Sequence, residues 1–223
     1  MHLKIKSTII LTAVSLGAIL LTQTVALADD SSSINQKALN FVKSLFQRSA
    51  AASRNLSKET FLNGTATQEG FCKLVKDSVQ MDVLIPYVAG KELWAAGTDK
   101  QKQDFAITAY SNLSILIALG FQNYTQSDTP DFCIDYSKTT NKSIVVKVVI
   151  PNDDEEVIVQ LRPLAGGNLK MYDSVINGIS IMQNKKADFL SASNGSLETL
   201  TAKIRTVNKR SGYGECQVDN ISY

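Results

Sequence analysis

Apolar positions in the first half of the chain repeat at helical spacing. Ile34, Ala38, Phe41, Val42, Leu45 and Phe46 fall on one helix face. Ser57 or Thr60 starts a short second helix, and Phe71, Leu74 and Val75 mark a third. A fourth is predicted over Asp82 to Ala95, carrying Leu84, Ile85, Val88, Leu93 and Trp94, with Gly97 interrupting it. Thr98-Asp-Lys-Gln101 has the form of a capping box, in which each side chain satisfies a backbone donor at the helix start. It opens the longest predicted helix, Asp99 to Tyr124. From Leu113 to Phe121 that helix is apolar nearly all round. Such a helix is buried on several faces. Nine residues are too few to span a bilayer. Protein covers one side, and protein or a bound apolar ligand the other.

The period then changes to two. Phe132, Ile134 and Tyr136 alternate with Cys133 and Asp135, and Ile144, Val146, Val148 and Ile150 form one apolar face. Pro151-Asn-Asp-Asp154 is a turn. Val157, Val159 and Leu161 alternate with Ile158, Gln160 and Arg162 before a second turn at Gly166-Gly167-Asn168. Leu169, Met171, Val175, Ile179 and Ile181 then read as one face of a last, longer strand, with Gly178 permitting close packing or a bulge. Short turns between such runs imply a four-stranded antiparallel meander. Helix returns from Gln183 to Ala192 and from Leu197 to Val207, with Ser196 as N-cap. The fold class is α+β: a helix-rich N-terminal half, the meander, and C-terminal helices, with one sheet face covered by helices. It carries more apolar surface than an ordinary core needs.

The first 28 residues read as a signal segment outside the fold. Lys4 and Lys6 form a basic start, an apolar run covers Ile9 to Leu21, and Ala26-Leu27-Ala28 is a small-x-small cleavage site. No twin-Arg pair precedes the run and no Cys follows the cut, so ordinary secretion as a soluble protein is expected. Removing 28 of 223 residues leaves 195, enough for one domain with a real core. The expected organisation is signal segment 1–28, domain 29–209 and a polar tail 210–223. Without the two signal lysines, 21 basic residues face 21 acidic ones. That balance points away from nucleic acid.

The sole histidine, His2, leaves with the signal. Ser-His-Asp and Cys-His catalysis and most zinc sites go with it. The acidic pairs Asp29-Asp30 and Asp153-Asp154-Glu155-Glu156 lie at an expected terminus and turn, and read as solvated loop charges rather than as a carboxylate catalyst. No catalytic residue, metal site or cofactor is expected. Cys72, Cys133 and Cys216 allow three pairings, and no two sit at C-x-x-C spacing. Cys133–Cys216 is the pairing favoured, tying the tail to a strand; three unpaired thiols are the alternative. Asn-x-Ser/Thr sequons occur at Asn55, Asn63, Asn112, Asn123, Asn141, Asn194 and Asn220. Asn112 lies inside the apolar helix, where a glycan has no room, so an Asn-rich composition explains them better.

Two segments together resemble a known family. One is Trp94-x3-Thr98-x2-Gln101-x3-Phe105-x4-Tyr110. The other is Lys170-x-Tyr172-Asp173-x4-Gly178-x-Ser180-x3-Asn184-x4-Phe189, followed by Gly195-x-Leu197-x2-Leu200. They resemble the MlaC family, periplasmic phospholipid-binding shuttles also known as toluene-tolerance or ABC-transporter auxiliary proteins. The resemblance covers Ile34 to Lys209, and the second segment is the more specific. The chain departs from the pattern at Leu169, where the family has an aromatic, at Lys185-Lys186, where it favours Tyr-Arg, and at Gly90-Lys91, where its Leu-Gly is out of step. The cysteines and the tail are additions.

The resemblance implies a deep apolar cavity between sheet and helices, which takes phospholipid acyl chains and leaves the headgroup near solvent. The residues expected to line it are Ile85, Val88, Trp94, Leu113, Leu116, Ile117, Ile144, Val146, Val148, Val157, Val159, Met171, Val175 and Ile179. Tyr172, Lys185 and Lys186 are the candidates for headgroup contact or docking. The implied partners are a phospholipid, an outer-membrane lipoprotein–porin complex and an inner-membrane MCE-domain ABC transporter, with no bond broken by the carrier. A hopanoid or another lipid is an alternative cargo. Competing classes are a small cavity-fold isomerase or hydratase and a secreted interaction module.

Overall fold

The long apolar helix of the sequence is the axis around which the other elements are placed. In the computed structural model, residues 32–54, 56–57, 61, 70–122, 129–151 and 155–217 are described. The expected signal segment, the expected start of the second helix at Thr60, the sequons at Asn55, Asn63, Asn123 and Asn220, most of the expected Pro151–Asp154 turn and the last six residues lie outside them. Helix α1 spans 32–53. Then come α2 (Phe71–Ser78), α3 (Met81–Ala89), α4 (Lys91–Ala96) and α5 (Asp99–Gln122). After the strands follow α6 (Ile181–Ser193) and α7 (Leu197–Arg210). From Ala38 onward the described residues belong to one compact unit.

Helix α5 starts where its capping box predicts. The Thr98 N–H donates to Gln101 Oε1 at 2.9 Å, and the Gln101 N–H donates to Thr98 Oγ1 at 3.3 Å. Phe105, Ala106, Ala109, Tyr110, Leu113 and Ala118 are buried along it. It is long and apolar enough to cross a membrane, but most of its apolar window is inside the protein. Its last turn is tied to α1, whose Ser53 hydroxyl donates to the Phe121 carbonyl at 2.9 Å. The buried Asn112 donates to Asn208 Oδ1 at 2.9 Å, and Asn208 donates to the Thr108 carbonyl at 2.9 Å, so α5 and α7 share a polar ladder inside the core.

The helix expected over Asp82 to Ala95 is two helices. Gly90 separates them with φ +83°, which an L side chain rarely adopts. A Cβ there would also stand 2.8 Å from Leu190 Cδ2, so α3 and α6 approach closely at this point.

The sheet has five antiparallel strands in sequential order, one more than expected. They are β1 (Asp131–Ile134), β2 (Ile144–Val149), β3 (Glu156–Pro163), β4 (Leu169–Ile176) and β5 (Ile179–Ser180). The extra strand arises because the run expected as one long strand folds back on itself. Asn177 and Gly178 both have positive φ, +50° and +78°, as a two-residue type I′ hairpin turn requires. A Cβ on Gly178 would meet nothing within 4 Å, so the residue serves the turn rather than close packing. Register also shifts between Gln160 and Leu161: Leu161 faces Met171, Gln160 faces Asp173, and Tyr172 is the extra residue of a bulge. Adjacent strand residues point to opposite faces. Ile144, Val145 and Val146 are all buried, as are Ile158 and Val159. The sheet centre is therefore shielded on both faces, not on one.

The C-terminal segment is fastened rather than loose. Cys216 is buried and bonded to Cys72 on α2, with Cα atoms 5.7 Å apart. The expected Cys133–Cys216 pairing is thereby corrected: Cys133 is exposed and free on the edge strand β1. Around the disulfide, the Cys216 N–H donates to Ser111 Oγ at 2.8 Å. Glu215 accepts from Arg205 at 2.8 Å and from Thr108 at 3.0 Å.

Candidate functional site: an apolar cleft hung from strand β4

The segment Lys170–Gln183 places two helices against one strand. The Lys170 ammonium donates to the Lys76 carbonyl at 3.1 Å and to the Asp77 carbonyl, closing the C-terminal end of α2. A cation there also complements the helix dipole. Burial holds the Lys170 pKa below its ordinary value, while Asp77 and Asp82 oppose that shift. Just beyond α2, Val79 bridges to Met171, and the Gln80 N–H donates to the Met171 carbonyl at 2.8 Å.

Asp173 does for α6 what Lys170 does for α2. Its carboxylate accepts the Ser180 hydroxyl at 2.6 Å and the Met182 N–H at 3.2 Å. Ser180 Oγ in turn accepts the Gln183 N–H at 3.0 Å, as an N-cap does. Negative charge at a helix start is favoured by the dipole. Between these anchors, the Tyr172 hydroxyl shares a 2.7 Å hydrogen bond with the Ser143 hydroxyl, and the Arg162 guanidinium lies 5.3 Å from the Tyr172 ring centroid.

The elements so held enclose a cleft. Val75 and Val79 of the α2 region, Leu84 of α3, and Leu113, Leu116 and Ile117 of α5 form its helical walls. Met171–Ser174 of β4 and Ile181 and Met182 of α6 close it. Nine of these twelve residues are apolar, and the polar three, Tyr172, Asp173 and Ser174, are consecutive on β4. Its volume is about 40 Å³. A small-molecule site typically measures roughly 300–1,000 Å³. The cleft as it stands is therefore well below that size.

Of the residues expected to bind lipid, Leu113, Leu116, Ile117 and Met171 line this cleft, as does Tyr172 from the headgroup set. Ile85 and Val88 are fully buried in the helical core instead. Trp94 packs at the edge of that core, its ring 6.2 Å from Phe105 with Lys102 above it. Ile144, Val146, Val148 and Val159 are buried in the sheet, and Val157 is half-buried, none of them at the cleft. The bulge at Tyr172 shifts Val175 onto the face of its partner Ile158, away from the Met171 face. Ile179 is 60% exposed in the hairpin, so it does not face the interior. Lys186 stands over the Tyr87 ring at 4.5 Å, and Lys185 pairs with Asp188 at 3.2 Å.

The reading from sequence missed Val75, Val79, Leu84, Ile181 and Met182 as cleft walls. Val75 carries a usable signal, since it repeats with Phe71 and Leu74 on the apolar face of α2, whereas Val79 lies just beyond the helix in extended conformation and carries none. Ile181 carried a misleading one, because it continued a strand alternation while the chain had already turned into α6.

The fold and cleft together define a small α+β protein with an apolar cleft between its sheet and its helices. The chain belongs to the MlaC family: the model of that family, described as MlaC protein, matches residues 43–206. Among solved structures, the chain is similar to the phospholipid-binding protein from Ralstonia solanacearum, solved in complex with a phospholipid. The TM-score is 0.60 and the identity 15%, over 78% of this chain and 98% of that one. At that identity the likeness speaks for the fold. No curated protein matches the sequence.

Proposed function

We propose that this protein is a lipid carrier of the periplasm, which takes phospholipid acyl chains into the cleft between β4 and helices α2, α3, α5 and α6. The observation that carries the reading is the cleft itself, nine of whose twelve lining residues are apolar, in a chain of the MlaC family. The phospholipid complex of the Ralstonia solanacearum protein, whose fold this chain shares, supports the same cargo. Each CH₂ removed from water contributes about 0.8 kcal/mol, so two chains of roughly 15 carbons would cost on the order of 20 kcal/mol if left exposed. A carrier crossing water must enclose both chains.

Because the cleft holds only about 40 Å³, loading requires the walls to part. The cleft's carboxylate already accepts two protein donors, a structural use rather than that of a free acid or base. In this reading residues 1–28 direct secretion. The carrier exchanges lipid between an outer-membrane lipoprotein–porin complex and an inner-membrane MCE-domain ABC transporter, which helps maintain outer-membrane lipid asymmetry.

Native mass spectrometry of the protein purified from a bacterial periplasm tests the proposal. A co-purified phospholipid mass is expected. Protein that emerges empty, and that takes up no diacyl lipid when offered vesicles, would overturn it.

A further inference from the structure

We infer that the C-terminal segment 211–216 is a covalent strap that keeps two helical walls of the cleft, α2 and α5, from parting, and so slows the escape of a bound lipid. The inference rests on the carrier reading and adds to it a device that controls retention. The family model ends at residue 206, so the strap lies beyond the matched part of the chain.

The strap grips both walls close to the residues that line the cleft. On α2 it is bonded through Cys72, three residues before the lining residue Val75. Residues three apart on a helix are neighbours. On α5 it is held at Thr108 and Ser111, just before the lining residue Leu113. The Cys216 N–H donates to Ser111 Oγ at 2.8 Å, and Thr108 Oγ1 donates to Glu215 at 3.0 Å. Helix α7 fixes the same point, because Arg205 donates to Glu215 at 2.8 Å and to Thr108 Oγ1 at 3.1 Å. The buried Tyr110 hydroxyl adds a direct tie from α5 to the Cys72 carbonyl. Hydrogen bonds break and re-form as helices shift, but the covalent bond sets a limit. The Cα atoms of Cys72 and Cys216 are 5.7 Å apart. A disulfide spans at most about 7 Å between Cα atoms, so α2 can move from the strap by only about 1 Å while the bond is intact. An acyl chain leaving between Val75 and Leu113 would have to lever α2 off α5 against that limit. The widening that loading requires therefore falls on the other walls.

The test loads delipidated protein with a pyrene-labelled phosphatidylglycerol and follows its release into unlabelled phosphatidylglycerol vesicles, without denaturant. Cys72→Ser and Cys216→Ser are combined, so that Cys133 remains the single thiol, as in the wild type. This double variant is expected to release lipid about tenfold faster, since part of the restraint that a disulfide exerts acts on this seam. Ser111→Ala with Glu215→Gln keeps the disulfide but loosens its grip on α5, and a smaller rise is expected; this pair decides the matter if the cysteine variant does not fold. Ser196→Ala is the control, because it removes the N-cap of α7 and lowers stability without touching strap or cleft. It should release lipid at the wild-type rate. Release from the double variant at the wild-type rate would overturn the inference and leave the carrier reading standing. So would an equal acceleration in Ser196→Ala, because release would then follow global stability rather than the strap. Wild-type protein that takes up no labelled lipid would overturn the carrier reading, and this inference with it.

Discussion

Asp173 and Ser180 are joined by a 2.6 Å hydrogen bond across the Asn177-Gly178 turn, and the same carboxylate receives the Met182 N–H. One side chain therefore fixes both the hairpin and the first turn of α6. Replacing it with Ala leaves a hydroxyl and a backbone donor without their acceptor. Asp173→Ala is expected to destabilise the fold by about 1–2 kcal/mol, and Ser180→Ala by about 1 kcal/mol. Asp173→Asn keeps one acceptor oxygen and should fall between wild type and Asp173→Ala. Urea unfolding of the three variants measures this. An Asp173→Ala midpoint equal to wild type would show that the network does not hold α6.

The disulfide gives a second prediction. Cys72 and Cys216 are 144 residues apart, and their bond fastens the C-terminal segment to α2. Cross-linking a long loop restricts the unfolded chain, and loss of a native disulfide typically costs about 2–5 kcal/mol. Cys72→Ser and Cys216→Ser should each lower stability on that scale, while Cys133→Ser should leave it nearly unchanged because Cys133 is free and exposed. Peptide mapping without reductant should recover Cys72 linked to Cys216 and Cys133 as a thiol. A peptide containing Cys133 linked to Cys216 would contradict the structure.

That pairing shows where the sequence stopped being legible. The order of helices, meander and closing helices could be read from periodicity, because period and burial are local properties. So could the caps at Thr98 and Ser196: the Thr199 N–H donates to Ser196 Oγ at 3.4 Å. Cys72 and Cys216 carry no local signal of their proximity, which depends on how α5 and α7 pack. The fifth strand was hidden for another reason. Asn177-Gly178 is a strong hairpin signal, but apolar residues on both sides made the segment look like one strand. The extra residue at Tyr172 then moved Val175 to the other face, which a strict period of two cannot anticipate. The cleft was legible only in part, because a wall built from α2, α3 and β4 is a property of packing.

Tyr110 makes stability sensitive to alkali. It is buried, and its hydroxyl donates to the Cys72 carbonyl. Burial pushes its pKa well above the phenol's ordinary 10.0, with Asp77 adding to the shift, while hydrogen bonds offset part of it. The folded state therefore holds the proton more tightly than the unfolded state. The resulting stability is fully present below pH 10 and is lost as the pH rises beyond it. Lys170 acts in the opposite sense. Its pKa lies below 10.5, so the folded state releases that proton first, and stability rises as the pH climbs towards 10.5. Tyr110→Phe separates the two effects. Its stability should be lower at neutral pH, because the Cys72 carbonyl loses its donor, but should fall less steeply above pH 10. Parallel wild-type and Tyr110→Phe curves would show that Tyr110 is not the source of the alkaline loss.

Leu116 and Ile117 distinguish a ligand cleft from ordinary core. Both are half-buried and face a space of about 40 Å³, whereas Val146 is fully buried in the sheet away from it. An indole at Leu116 fills the space into which the walls would have to open, but replaces a side chain that is not packed on all sides. Leu116→Trp is therefore expected to lower co-purified lipid about tenfold or more, while shifting the unfolding midpoint only slightly. Val146→Trp overpacks a closed core, where such insertions cost about 1–3 kcal/mol, so it should lower stability first. The two variants need both readouts, lipid content by native mass spectrometry and stability by urea unfolding. If Leu116→Trp keeps its lipid and Val146→Trp loses it without unfolding, the acyl chains lie against the sheet centre, and the cleft at β4 is only a gap in the core.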